Sequence, residues 1–132
     1  MKKIFVDTSA WYAYARADDP DHDAVSEVLE RWEGRLVTSN FVFDETVTLV
    51  RYRLGLKAAE RVGKVLLSPG AVEFVRLLPE DEEAAWKFFL AHSDKDFSMT
   101  DCTSFALMKR LAISAAATTD HHFRQAGFQT EP

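Results

Sequence analysis

Two stretches decide the fold: Ile4-Phe5-Val6-Asp7-Thr8-Ser9-Ala10 near the start of the chain, and Ala112-Ile113-Ser114-Ala115-Ala116-Ala117-Thr118-Thr119-Asp120 near its end. Each is a short apolar run that stops at hydroxyl and carboxylate side chains. A short apolar run bounded by polar residues reads as a buried strand. The first strand therefore covers Ile4 to Val6 and ends at Asp7; the last covers Ala112 to Ala117, with Thr118-Thr119-Asp120 after it.

Helical periodicity fills the space between them. Thr8 and Ser9 can cap a short helix through Trp11 to Ala15. A loop follows at Asp18-Asp19-Pro20-Asp21. An amphipathic helix from His22 to Trp32 sets Ala24, Val25, Val28, Leu29 and Trp32 on one face, and Gly34 stops it. Leu36-Val37 is a second strand. Ser39 or Asn40 caps a long helix from Phe41 to Leu54 that Gly55 ends, and another helix runs from Lys57 to Leu67, closed by Ser68-Pro69-Gly70. Ala71 to Leu77 alternates as a third strand. Pro79 opens a helix whose first turn, Glu80-Asp81-Glu82-Glu83, complements the helix dipole. Ser98 with Asp101 has the spacing of a capping box and starts a helix to Leu111. A last short helix covers His121 to Ala126.

Strands alternating with helices imply a parallel sheet covered on both faces. The expectation is a three-layer α/β/α architecture with a central, mostly parallel sheet of four to five strands, built as a single domain over residues 1–132. In such sheets function gathers at the carboxyl ends of the strands, where Asp7 and Asp120 stand.

Bulk composition narrows the chemistry. Of 132 residues, 47% are hydrophobic, enough for a sizeable core and too many for a disordered chain. The single cysteine, Cys102, excludes an internal disulfide and suits a reducing cytoplasm. The apolar run before Asp7 is too short for a signal-peptide core, and no run reaches the roughly 18 residues of a membrane span. The net charge of -5 is awkward for a nucleic-acid reader. Divalent ions held by clustered carboxylates would offset part of it.

Taken singly, Asp7, Asp101 and Asp120 each read as a helix-cap, helix first-turn or turn aspartate, and they gain weight only together. Glu45 is more informative, because its neighbours at helical spacing, Phe41, Val42, Thr48, Leu49 and Tyr52, are largely apolar. A carboxylate in such a stripe must be paired, protonated or bound to metal. Ser104 lies one turn beyond Asp101, where a hydroxyl can support a ligand. Hard divalent cations take oxygen ligands, and the chain has no Cys/His cluster for zinc. His22 and His92 are scattered. The adjacent His121 and His122 point in different directions on a helix and do not read as a metal site.

Together these segments resemble the motifs of PIN domains. Ile4-Phe5-Val6-Asp7-Thr8-Ser9-Ala10 resembles the opening motif, and Glu45 with Val47, Leu49 and Arg51 the second acidic motif. Asp96-x-Ser98-x-Thr100-Asp101-Cys102-x-Ser104-Phe105 is similar to the third, and Thr118-x-Asp120-x-His122-Phe123 to the last. The likeness spans nearly the whole chain and is nearest to the VapC-type toxins of toxin–antitoxin pairs. It implies a PIN-like fold and a magnesium- or manganese-dependent endoribonuclease that is usually dimeric and is inhibited by a small antitoxin. It assigns metal binding and catalysis to Asp7, Glu45, Asp101 and Asp120, with Thr8, Ser104 and Thr118 as supporting polar residues and Asp96 as a less uniform acid. Hydrolysis by activated water would leave a 5′-phosphate and a 3′-hydroxyl.

The densest basic stretch, Arg51, Arg53, Lys57, Arg61 and Lys64, flanks the helix of Glu45. Arg51, Arg53 and Lys57 are the candidate contacts to RNA phosphates. The alternative is a non-catalytic PIN-like RNA-binding or interaction module, which a metal-dependent cleavage assay separates. A phosphatase of the haloacid-dehalogenase kind would want a second Asp where Ser9 stands, and a flap-type DNA nuclease would be longer. The RNA cleaved, the number of ions and the antitoxin are not legible in the residues.

Overall fold

The computed structural model describes residues 1–132. Five strands form one sheet in the order β3-β2-β1-β4-β5, with every neighbouring pair parallel. They are β1 (Ile4–Val6), β2 (Leu36–Ser39), β3 (Val72–Val75), β4 (Ala115–Ala117) and β5 (Gln129–Glu131). The helices are α1 (Thr8–Ala15), α2 (His22–Arg31), α3 (Asn40–Leu54), α4 (Leu56–Leu66), α5 (Pro79–Ala91), α6 (Met99–Arg110) and α7 (His122–Gln125). The sheet is thus wholly parallel, and its fifth strand is one that residue pattern alone leaves unread. Gln129-Thr130-Glu131 is polar and only three residues long, so it carries no apolar signal; its backbone pairing with Ala115 to Ala117 makes it a strand.

The chain winds outward from β1 through β2 to β3, then returns to the other side of β1 to lay down β4 and β5. The direction of winding therefore reverses between β1 and β4. At such a switch point the connections leave in opposite directions and a crevice opens above the strand ends. Val6 pairs with Ala117, and the Asp7 N–H donates to the Ala117 carbonyl at 3.0 Å. Asp7 and Thr118 thus stand side by side at the mouth of the crevice.

Local sequence explains the helix starts. Asp7, rather than Thr8 or Ser9, caps α1, accepting the Ser9 N–H through its side chain. Of the two candidate caps for α3, Ser39 serves, accepting the Val42 N–H at 3.1 Å. The Ser98–Asp101 capping box closes as its spacing predicts, with reciprocal bonds of 2.9 and 3.0 Å. Gly55, at φ 96°, takes a left-handed conformation open to glycine and lets α4 begin directly after α3. On α2 the buried face is Val25, Val28 and Leu29, while Ala24 is exposed.

Large apolar side chains pack against both faces of the sheet, with Trp11, Phe5, Phe105 and Phe123 fully buried. One buried charge belongs to this scaffold. Asp81, 3% exposed, accepts the Leu78 N–H and two bonds from the Arg110 guanidinium at 2.8 and 2.9 Å. Burial alone would raise its pKa, but Arg110 and the Leu78 N–H hold it below the usual carboxylate range. Arg110→Ala leaves this carboxylate unpaired and should cost about 2–3 kcal/mol, because Arg110 is itself partly solvated. Urea unfolding at pH 7 checks this, with no change expected in metal binding.

Candidate active site

The crevice above β1 and β4 holds a cavity of about 440 Å³. Six carboxylates line it, those of Asp7, Asp19, Asp21, Glu45, Asp101 and Asp120, against one guanidinium, Arg53. The four acids singled out in the sequence thus meet in one place, although they come from four separate segments. Asp7 arrives from the end of β1, Glu45 from α3, Asp101 from the first turn of α6, and Asp120 from the loop after β4.

The three aspartates share a pattern. Asp7 Oδ2 accepts the Ser9 hydroxyl at 2.7 Å and the Thr118 hydroxyl at 3.1 Å, while Oδ1 has no protein hydrogen bond. Asp101 uses Oδ2 for the Ser98 N–H and leaves Oδ1 free. Asp120 uses Oδ1 for the His122 N–H at 2.9 Å and leaves Oδ2 free. Each side chain is fixed by one oxygen and presents the other. None is ion-paired to a lysine or arginine.

Uncompensated negative charge has a cost that is visible in the ionisation of the buried members. The Asp7 carboxyl is pushed up to about 7, first by burial and then by Asp120 and Asp101, against the lowering pull of Ser9 and Thr118. Asp101 is raised as well, mainly by burial and next by Asp120, with Ser98 and His122 opposing. Oxygen donors gathered without a cationic side chain are what a hard divalent ion requires. The residues present therefore fit such an ion. A larger hollow of about 780 Å³ at the opposite end of the sheet does not: its acids, Glu73 and Glu131, are already paired with Lys3 and Arg31.

The supporting residues divide. Thr118 bonds Asp7 directly, and Thr8 lines the cavity and accepts the Thr46 hydroxyl. Ser104 is fully buried, its hydroxyl makes no hydrogen bond, and it does not line the cavity. Glu45 does not face the core as its neighbours suggest. The buried stripe of α3 is Val42, Thr46 and Val50, whereas Tyr52 is 90% exposed; Glu45 sits beside that stripe and faces the cavity. Of the basic candidates Arg53 reaches the cavity, stacked over Tyr12 at 5.5 Å, while Arg51 and Lys57 are exposed elsewhere, as is Asp96.

Sequence reasoning misses three residues here. Asp19 and Asp21 belong to a loop whose path no local pattern gives. His122 brings Nδ1 to 3.1 Å from Asp101 Oδ2 and 3.7 Å from Asp120 Oδ1. The signal for it is its place two residues after Asp120, at the start of a helix.

Residues 4–129 match the PIN domain family. The chain is a PIN domain. Among relatives of this PIN domain is the 23S rRNA-specific endonuclease VapC20 of Mycobacterium tuberculosis, 36% identical over 125 residues, which are 95% of each chain. The Ribonuclease VapC26 of the same organism is 32% identical over 121 residues, 91% of this chain and 89% of its own. The crystal structure of VapC20, described as a Sarcin-Ricin loop cleaving toxin, superposes with a TM-score of 0.93 at 34% identity, covering 98% of this PIN domain and 100% of that chain. A DNA-bound VapBC from Salmonella typhimurium shares the fold at a TM-score of 0.74 and 13% identity, covering 99% and 98%. No helix of the PIN domain is long and apolar enough to cross a membrane.

Proposed function

We propose that this chain is a metal-dependent endoribonuclease, the toxin of a type II toxin–antitoxin pair acting in the cytoplasm, and that Asp7, Glu45, Asp101 and Asp120 hold magnesium or manganese. The observation that carries this is the meeting of these four acids in one cavity with no lysine or arginine ion-paired to them. Likeness to VapC20 adds the substrate to test first, the sarcin–ricin loop of 23S ribosomal RNA.

A bound divalent ion supplies an activated water and neutralises charge on the phosphoryl oxygens. The side chains do the rest. Ser9 and Thr118 fix one oxygen of Asp7 and leave the other without a protein partner, so that it could hold the ion. Ser98 does the same for Asp101, and the first N–H of α7 for Asp120. The N-termini of α1 and α6 end at the site, where their partial positive charge favours a phosphate. Hydrolysis by water leaves a 5′-phosphate and a 3′-hydroxyl.

Arg53 is the cation at the rim, and stacking on Tyr12 orients it. Its role is to hold a phosphate of the RNA. Arg53→Ala should weaken RNA binding about tenfold and reduce the salt dependence by about one counterion, with kcat nearly unchanged. Fluorescence anisotropy across a salt series measures both.

The acidic cavity would equally receive a basic side chain of a small antitoxin. Exposed Tyr52 and Leu56 near the α3–α4 junction, and Trp86, Phe89 and Leu90 on α5, are apolar surface for the antitoxin and for a second copy of the chain. The deciding experiment incubates the purified chain with a synthetic sarcin–ricin loop RNA and either Mg²⁺ or Mn²⁺, and sequences the ends. Metal-dependent cuts with 5′-phosphate ends are expected. An intact RNA, together with intact total ribosomal RNA, would refute the nuclease reading.

A further inference from the structure

We infer that His122 is a nitrogen ligand of the same metal centre, and that it tilts the site toward manganese over magnesium. This rests on the metal-dependent reading above and adds to it a residue outside the set of acids.

The four histidines of the chain have different surroundings. The rings of His22 and His92 each bond a backbone carbonyl, of Ala13 and Phe88, at 2.8 Å. His121 is exposed. His122 alone turns its ring toward carboxylates, those of Asp101 and Asp120. Its backbone N–H is anchored on Asp120 Oδ1, and its ring stands edge-on to the buried Phe97, with centroids 5.9 Å apart. The ring is thus held from both sides, at 20% side-chain exposure.

The spacing suits a shared ion. One donor atom from each of Asp101, Asp120 and His122 lies within 4.8 Å of the others. With metal–ligand bonds of about 2.1 Å, adjacent ligands sit about 3.0 Å apart and opposite ones about 4.2 Å apart. The trio thus lies within reach of one ion, which would draw the donors together to these spacings. His122 approaches Asp101 Oδ2 and Asp120 Oδ1, which also accept the Ser98 and His122 N–H groups, and each carboxylate keeps its other oxygen free of protein bonds. Magnesium binds nitrogen poorly and keeps its waters, whereas manganese accepts imidazole beside carboxylates. A mixed nitrogen and oxygen set therefore discriminates between the two.

The test uses the full chain with Mn²⁺ alone as the probe, without RNA, at pH 8. Pulsed electron paramagnetic resonance should show a directly bonded ¹⁴N coupling in the parent, converted to the ¹⁵N pattern by ¹⁵N-histidine labelling. The coupling should persist in His121→Ala and vanish in His122→Ala and His122→Gln. Equilibrium binding should show His122→Ala weakening Mn²⁺ about tenfold or more and Mg²⁺ less than about threefold. Mn²⁺ that is lost on Asp101→Asn yet shows no nitrogen coupling would overturn the assignment of His122 and leave the carboxylate site standing. Equal weakening of both ions by His122→Ala would overturn the selectivity. Mn²⁺ binding indifferent to Asp101→Asn would overturn the site itself, and the inference with it.

Discussion

Asp7→Asn removes RNA cleavage by at least about a thousandfold and at the same time makes the metal-free chain more stable at pH 8 than its parent. The first effect follows from the proposed role of Asp7 in holding the ion that stabilises the reaction's charge. The second follows from burial. Folding raises the Asp7 pKa from 3.8 to about 7, so the folded state holds the proton more tightly than the unfolded chain does. The contribution of Asp7 to stability is therefore greatest below about pH 4, declines as the pH rises to about 7, and is flat above it. A rise of that size sets an upper bound of roughly 4 kcal/mol, of which water reaching the cavity will return part. Asparagine carries no charge and still offers an oxygen to Ser9 and Thr118, so the variant lacks this slope and keeps the α1 cap. Urea midpoints in EDTA at pH 5 and pH 8, measured on both proteins, should show the variant's advantage growing from pH 5 to pH 8. Cleavage at the parent's rate by Asp7→Asn would end the catalytic assignment.

Chelation should abolish cleavage outright, and Mn²⁺ or Mg²⁺ in excess of EDTA should restore it. The same ions should stabilise the fold, because a cation offsets the burial and the mutual repulsion that raise Asp7 and Asp101. At one hundred times its dissociation constant an ion adds about 2.7 kcal/mol, which in a chain of this size is a rise in Tm of roughly 10 °C. The gain should shrink from pH 8 to pH 5 as protons compete for the carboxylates. Thermal unfolding with and without metal at the two pH values measures this. Asp101→Asn should lose most of the rise, and cleavage that survives EDTA would refute the metal requirement.

The parallel sheet and the positions of Asp7 and Asp120 are legible in the sequence because apolar runs stop sharply and acids follow them. The capping box at Ser98–Asp101 is legible from its spacing. Other features depend on three-dimensional neighbours. Glu45 stands out through an apolar stripe that is not the buried one; residues 42, 46 and 50 face the core, and Glu45 lies one position round the helix from Thr46. Asp19 and Asp21 reach the cavity through a loop whose course is set by what surrounds it. His122 escapes notice in the sequence because adjacent histidines on a helix diverge. Here the two rings lie 4.7 Å apart, and it is the ring of His122 that meets Asp101. β5 gains its identity from hydrogen bonds to β4 and not from its own residues.

Asp7 caps α1, Asp101 closes the capping box of α6 on the Ser98 N–H, and Asp120 holds the first N–H of α7. One oxygen of each belongs to the architecture, and only the other is left for chemistry. A descendant that abandoned the reaction would still be under pressure to retain a short hydrogen-bond acceptor at all three places, and asparagine or serine would satisfy it. Loss of activity in this lineage would therefore leave its trace as a change from acid to amide or hydroxyl, and alanine there would record a loss of both duties at once.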